Sequence, residues 1–439
     1  MGNIIDYVYE YGNYTFSEMP LNEVDSLVLC QLIYLDYENY VPGLEKRNSP
    51  VSIQQIYADE NWRQILEGYW FKEDNAALFI AAAESVRFGS LKMNYYINIV
   101  NEKEEAQFSA MTYVLEDKNC YLAYRGTDAT FIGWKEDFNM AYSRPVHSHH
   151  LSVEYMDRVA GYIGGDFYAG GHSKGGNLAV YAAMNCQEIT RHSLLAVYNN
   201  DGPGFRPEIL NAGNFKEIEG RTFKFIPKSS IVGVLLESEG EYDVVESRSI
   251  GALQHNSYSW KVKDAAFVRA GSRTDFNRFR DAALNEWILS LSEEETHAFV
   301  DTVYEVISAS EAKDIFALGA DWKKALQSMS GALKGLTEET RNAISGMIRS
   351  GFDIAGGMAV AEVKNRQQDA RERQQERMQE IRERKEQVKQ EIKDRQEELV
   401  QKIKEKQEEV KTEIKGWKEE QQKNSKSEKK IVDRKQENR

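Results

Sequence analysis

Gly171-His172-Ser173-Lys174-Gly175 sets a serine between two glycines in the spacing G-x-S-x-G. In that pattern the hydroxyl stands on a sharp strand-to-helix turn, exposed for attack on an acyl carbon. Glycine two residues before and two after removes the Cβ atoms that would keep the turn from closing. The flanks agree: Asp166-Phe167-Tyr168-Ala169 reads as a short buried strand, and Asn177 to Met184 as a helix whose small residues face a sheet. The competing explanation is an ordinary glycine-rich turn. Acyl transfer also needs donors aimed at the oxygen that becomes negative. The backbone N–H of Lys174 is one candidate; the other belongs on a loop after an earlier strand. Asn119 to Tyr124 reads as such a strand, running into Arg125-Gly126-Thr127-Asp128, where Thr127 offers an amide and a hydroxyl together.

A serine of this kind needs a base. Of the seven histidines, those downstream of Ser173 are His192, His255 and His297. His192 precedes the strand-like Leu194 to Tyr198 and sits at its wrong end, and His297 falls in the first turn of a solvated helix. His255 follows the alternating segment Tyr242 to Ser247 and lies at a strand end, where a general base belongs. A satisfied structural histidine is the alternative. The upstream cluster His147-Ser148-His149-His150 has no cysteine near it, and no metal is assigned to it.

With Arg125-Gly126-Thr127, the following Trp134-x-x-Asp137 and Gly171 to Gly176, the chain resembles the lipase class 3 group of α/β-hydrolases. It is more similar still to their bacterial offshoot, the Mbeg1-like family, described mainly as uncharacterised. Val24 to Leu29, Asn200-Asp201-Gly202-Pro203-Gly204-Phe205 and Gln254 to Trp260 carry the same resemblance, which covers roughly the first two thirds of the chain. It implies a serine hydrolase without a cofactor, acting on an ester or lipid-like substrate. It also implies an aspartate after the strand Arg221 to Ile226, but Pro227-Lys228-Ser229-Ser230 has serine there. Asp201, at the end of the preceding strand, is the substitute, and the order Ser173, Asp201, His255 keeps the serine, acid, histidine order of α/β-hydrolases. Glu237 and Asp243 remain as fallbacks, as does the absence of any acid. Asp201 has a competing role as an Asp-Gly-Pro-Gly turn former bonded to its own backbone.

Behind these residues, strands and helices alternate to about residue 262, which predicts an α/β fold with a mostly parallel sheet covered on both faces. Residues 1–100 read as a helical N-terminal part, 101–290 as the α/β-hydrolase core, with a hairpin around Glu116 to Asn119, and 291–361 as a helical connector or lid. With 439 residues, 41% of them hydrophobic, the chain can bury one large domain. Cys30, Cys120 and Cys186 sit in apolar periodic segments and read as buried thiols in a reducing compartment. Met1 to Tyr7 lacks the pattern of a secretion signal, and Asp6 stands where a myristoylation site needs serine or threonine. Ala343 to Ala361 is apolar but carries Arg349 and Asp353, too charged for a membrane span. The expected location is therefore cytoplasmic.

Residues 362–439 are a different polymer. They carry a net charge of +4 against −18 for the rest of a chain whose total is −14. Glutamate and lysine at four-residue spacing favour a long charged C-terminal helix. Ile381, Ile392, Ile403 and Ile414 recur every eleven residues, as do Val388, Leu399 and Val410, which keeps a thin stripe on one face of a nearly straight helix. That stripe fits a solvated spacer, self-association or a partner helix, or contact with a membrane surface. Balanced charge gives no reason to expect nucleic acid. Two functions compete: a serine hydrolase, or a hydrolase-fold scaffold that has lost its acid and works through this tail. Truncation after Val360 is expected to leave turnover of a small soluble ester within a few-fold, while changing hydrodynamic size, oligomeric state or vesicle association. Loss of that turnover in a truncated chain still folded by circular dichroism would put the tail in the active site.

Overall fold

Residues that alternate between two environments set the sheet at the centre of the protein. Tyr121 and Ala123 pack into one apolar cluster, while Cys120, Leu122 and Tyr124 of the same strand pack into the other, so the strand is buried on both faces. The computed structural model describes residues 1–272 apart from 47–48, 67–70, 102–105, 116–118, 128–144, 231, 237–239 and 250, together with Asn285, Lys415 and Gly416. Among these, eight strands form one sheet in the order of the chain: β1 (Val51–Ser52), β2 (Lys92–Asn101), β3 (Ala106–Val114), β4 (Cys120–Tyr124), β5 (Phe167–His172), β6 (Leu194–Asn200), β7 (Thr222–Pro227) and β8 (Asp243–Val245). Pairing is antiparallel from β1 to β4 and parallel from β4 to β8. The expected α/β class and the hairpin of β3 with β4 are both present. The expectation that residues 1–100 are helical misses β1 and the long β2, whose Tyr-Tyr-Ile-Asn-Ile-Val run has the β-branched and aromatic character of a strand.

One face of the sheet is covered by the helices α1 (Ile4–Tyr11), α2 (Glu23–Leu32) and Lys72–Glu84, the other by His147–Ile163 and Lys174–Asn185. Asn3 and Asn22 each cap their helix by accepting from two amides of the first turn, and Asp6 and Asp25 return the bond to the cap's own N–H. Asp25 does more. It is fully buried and pairs with the equally buried Arg87 at 2.5 Å, while the Tyr7 hydroxyl donates to its other oxygen at 2.8 Å. The Arg87 guanidinium also reaches the carbonyls of Tyr14, Thr15, Met19 and Pro20 and lies 3.9 Å over the Phe16 ring. One cation thus ties the loop between α1 and α2 to α2 itself. Cys30, Cys120 and Cys186 are buried free thiols, as expected, and burial pushes the Cys30 thiol up to about 12.

The chain divides into two compact units, Met1–Ala359 and Val360–Arg439; in the second, Lys415 and Gly416 are described and are helical. The helix expected to hold His297 in its first turn, the connector or lid of 291–361 and the eleven-residue repeat lie outside the described residues. Among the described residues no helix is long and apolar enough to cross a membrane. Arg87→Ala leaves a buried carboxylate without its cation, and is expected to cost about 3–5 kcal/mol in chemical denaturation. A loss below about 1 kcal/mol, the size of an exposed pair, would show that the pair is not a structural anchor.

Candidate active site

Ser173 follows β5 and opens the helix Lys174–Asn185 with φ 58° and ψ −133°, a strained conformation for a residue with a side chain. Its own amide donates to Asn200 O on β6 at 3.0 Å, so the turn is bolted to the neighbouring strand. A Cβ on Gly171 would come within 2.0 Å of the Gly175 backbone, and one on Gly175 within 2.0 Å of Tyr124 O. Those two positions admit only glycine, and the glycine-rich turn is an elbow. Lys174 begins the helix, placing its amide at the positive end of the helix dipole, while its buried Nζ turns away to donate to Gln107 O at 2.8 Å.

Thr127 follows β4 in a loop held close to the elbow. Its neighbour Gly126 leaves no room for a Cβ, which would lie 2.0 Å from the Tyr34 hydroxyl and 2.6 Å from His172 O. Arg125 is buried and donates to Asn98 Oδ1 at 3.1 Å. Asp128 and the Trp134-x-x-Asp137 pattern lie outside the described residues.

Asp201 and His255, 54 residues apart, meet: Asp201 Oδ2 accepts from His255 Nδ1 at 2.7 Å, with the carboxylate fully buried and the imidazole 27% exposed. A carboxylate only accepts, so this contact puts the proton on Nδ1 and leaves Nε2 as the basic nitrogen. Asp201 has φ 57°, a left-handed conformation that aspartate tolerates better than most residues. Its side chain does not bond its own turn. Asn199 does that instead, its Oδ1 accepting from Gly202 N at 2.8 Å. A Cβ on Gly202 would touch Ser173 O at 2.5 Å, which shows how near the acid's loop runs to the elbow. Asn177, on the elbow helix, donates to the carbonyls of Pro203 and Gly204 and pins the rest of that loop.

His255 lies in a short 3-10 turn, Gly251–His255, beyond β8. The turn is anchored on its flanks. Trp260 Nε1 donates to Gln254 O at 2.9 Å, Ser257 donates to Gln31 on α2 at 2.7 Å, and the Tyr258 hydroxyl donates to Asn75 Oδ1 at 2.5 Å. His172, the residue before the serine, meets the backbone of His255: its Nε2 donates to His255 O at 2.9 Å, and its Nδ1 faces the Tyr34 hydroxyl at 3.3 Å. A carbonyl cannot donate, so His172 carries its proton on Nε2. Burial, with the nearby His255 adding to it, lowers its pKa to about 3, and it is neutral. Residue types alone give neither His172 nor Tyr34 a role. His172 stands inside the serine motif, where it could have been suspected; Tyr34 gives no signal.

The remaining candidates fall elsewhere. Asp243 is on β8, where its carboxylate takes the Arg269 guanidinium at 2.9 Å, away from His255. Glu237 and His297 lie outside the described residues. Of the upstream histidines, His149 is buried in the first turn of its helix; its Nδ1 accepts from Val146 N at 3.1 Å and its Nε2 donates to Asn177 Oδ1 at 2.8 Å. It is a cap and a brace. Among the described residues no group of metal-binding side chains gathers.

Fold and site together define an α/β protein with a strained serine elbow and a histidine paired with a buried aspartate. Within that class the chain belongs to the Mbeg1-like family, whose model matches residues 82–305. Among solved structures it is similar to the lipase–propeptide complex of Rhizomucor miehei, at 17% identity over 35% of this chain and 57% of that one, with a TM-score of 0.27. It is also similar to M37 lipase, at 12% identity over 61% of this chain and 80% of that one, with a TM-score of 0.32. The chain thus spans little more than half the length of the first of these. No curated protein matches it.

His172 sets an expectation for acid stability. Unfolded, its imidazole titrates near 6.5; folded, near 3. Between those values the unfolded chain binds the extra proton, so stability is full above about 6.5 and falls as the pH drops towards 3, by at most about 1.4 kcal/mol per pH unit. Denaturation curves of His172→Gln are expected to lack this component, making the wild-type minus variant difference slope across that window. A difference that stays flat from pH 7 to pH 4 would contradict the buried, neutral assignment.

Proposed function

We propose that the protein is a serine hydrolase of the α/β-hydrolase kind, cleaving an acyl ester or lipid-like substrate through an acyl-enzyme on Ser173. The observation that carries this reading is the 2.7 Å contact between His255 Nδ1 and the buried Asp201, beside a serine held at positive φ. In the acylation step the Ser173 oxygen bonds to the carbonyl carbon and its proton passes to His255 Nε2. Asp201 holds the imidazole in the accepting tautomer and stabilises the imidazolium. The oxyanion is held by the Lys174 amide and by the amide or hydroxyl of Thr127. The carbon–oxygen bond to the leaving alcohol then breaks, and that alkoxide takes the proton from Nε2. Water, deprotonated by the same nitrogen, attacks the acyl carbon and releases the acid and the free Ser173 hydroxyl. The Asp201–His255 contact favours this reading over a scaffold that has lost its acid.

Two outcomes are expected. A fluorophosphonate probe labels wild-type protein at Ser173 and leaves Ser173→Ala unlabelled though folded; labelling that persists in the variant sends the nucleophile elsewhere. In kinetic assays on short and long acyl esters, Asp201→Asn lowers turnover by about ten-thousandfold, whereas Asp243→Asn leaves it near wild type. Equal activities for the two variants would remove Asp201 from the site.

A further inference from the structure

The turn that follows β7 carries no acid, yet it touches both the acid and the segment of the base. Ser230 is fully buried, and its hydroxyl donates to Asp201 Oδ2 at 2.6 Å, the same oxygen that accepts from His255 Nδ1 at 2.7 Å. The amide of Gly233 donates to the other oxygen, Oδ1, at 3.1 Å. A Cβ at position 233 would sit 2.3 Å from that oxygen, so the turn is closed down onto the carboxylate. One residue before Ser230, the amide of Ser229 donates to the side chain of Gln254 at 2.7 Å, and Gln254 immediately precedes His255. A single turn therefore grips Asp201 from two sides and the neighbour of His255 from a third.

This arrangement constrains chemistry as well as packing. A carboxylate with one donor can rotate about its Cβ–Cγ bond; with the Ser230 hydroxyl and the Gly233 amide on opposite oxygens, Asp201 is held with Oδ2 towards His255. The hydroxyl also stabilises the charged form of Asp201 and shares the electron density of the oxygen on which the imidazole leans. We infer that Ser230 is a positioning residue of the site, fixing the rotation of the Asp201 carboxylate and moderating its pull on the His255 Nδ1 proton. The inference rests on the serine-hydrolase reading and extends it to a residue that touches no substrate. His255 is faced by the Asp201 carboxylate and by the neutral His172 ring, with ring centres 4.7 Å apart, so the charge on its Nδ1 side is that of Asp201.

The test is the pH profile of kcat on a soluble acyl ester for wild type, Ser230→Ala and Ser230→Thr. Loss of the hydroxyl leaves Asp201 less stabilised as an anion and its attraction for the Nδ1 proton stronger. The acid limb of Ser230→Ala is therefore expected to move to higher pH, with kcat at its plateau lowered about tenfold to a hundredfold and KM unchanged. Ser230→Thr, which keeps the hydroxyl, is expected to restore the position of the limb. A Ser230→Ala protein with wild-type kcat and an unmoved limb overturns the inference, as does one in which kcat and KM change together while the limb stays in place. Should Ser230→Ala fail to fold, Ser230→Cys, with a weaker donor in nearly the same volume, is expected to place the limb between those of wild type and alanine, and an unmoved limb again overturns it. Fluorophosphonate labelling of wild-type Ser173 separates the two readings: absence of labelling is a failure of the hydrolase assignment, and labelling with an indifferent Ser230 is a failure of this inference alone.

Discussion

A fully buried carboxylate is costly unless its oxygens are satisfied, and Asp201 is satisfied by three donors drawn from two other parts of the chain. It sits at the end of β6, accepts from the turn after β7 and accepts from the 3-10 turn beyond β8. Parallel strands deliver these segments to the same edge of the sheet, since each strand of such a run ends on the side where the next connection begins. The elbow of Ser173 stands on that edge as well, closing β5. Removing the carboxylate would leave three donors pointing at one cavity, so the site and the local fold share a single constraint.

The N-terminal helices belong to the same construction. Gln31 on α2 and Asn75 on the helix Lys72–Glu84 hold Ser257 and Tyr258, two and three residues past His255. Tyr34, just beyond α2, packs between Gly126 and His172. The buried Asp25–Arg87 pair fixes where α2 can lie. Residues that precede the family match at position 82 thus set the position of His255 and of the loop that carries Thr127.

Much of this could be read from residue types. Ser173 between Gly171 and Gly175, the alternation of β4 and the strand–helix rhythm after it are local patterns, and the local backbone obeys them. Residue order favours Asp201 as the acid but leaves Glu237, Asp243 or no acid as fallbacks, because the pairing with His255 is a contact across 54 residues that no spacing encodes. Ser230 looked like a missing carboxylate; its partner lies 29 residues away, and only the folded chain shows that its hydroxyl serves the relocated one. Strands β1 and β2 escape the residue pattern because one covers two residues and the other has an irregular register against β3 between Asn94 and Ile97, which breaks the period of two.

In the proposed mechanism Ser173 becomes acylated because His255, turned by Asp201, removes its proton. Mass spectrometry of the protein quenched during turnover of an activated short-chain ester tests this most directly. A gain of one acyl group is expected, mapped to the peptide containing Ser173, absent in Ser173→Ala and strongly slowed in Asp201→Asn. Turnover with no acyl group on that peptide, or an acyl group that forms at the wild-type rate in Asp201→Asn, would contradict it.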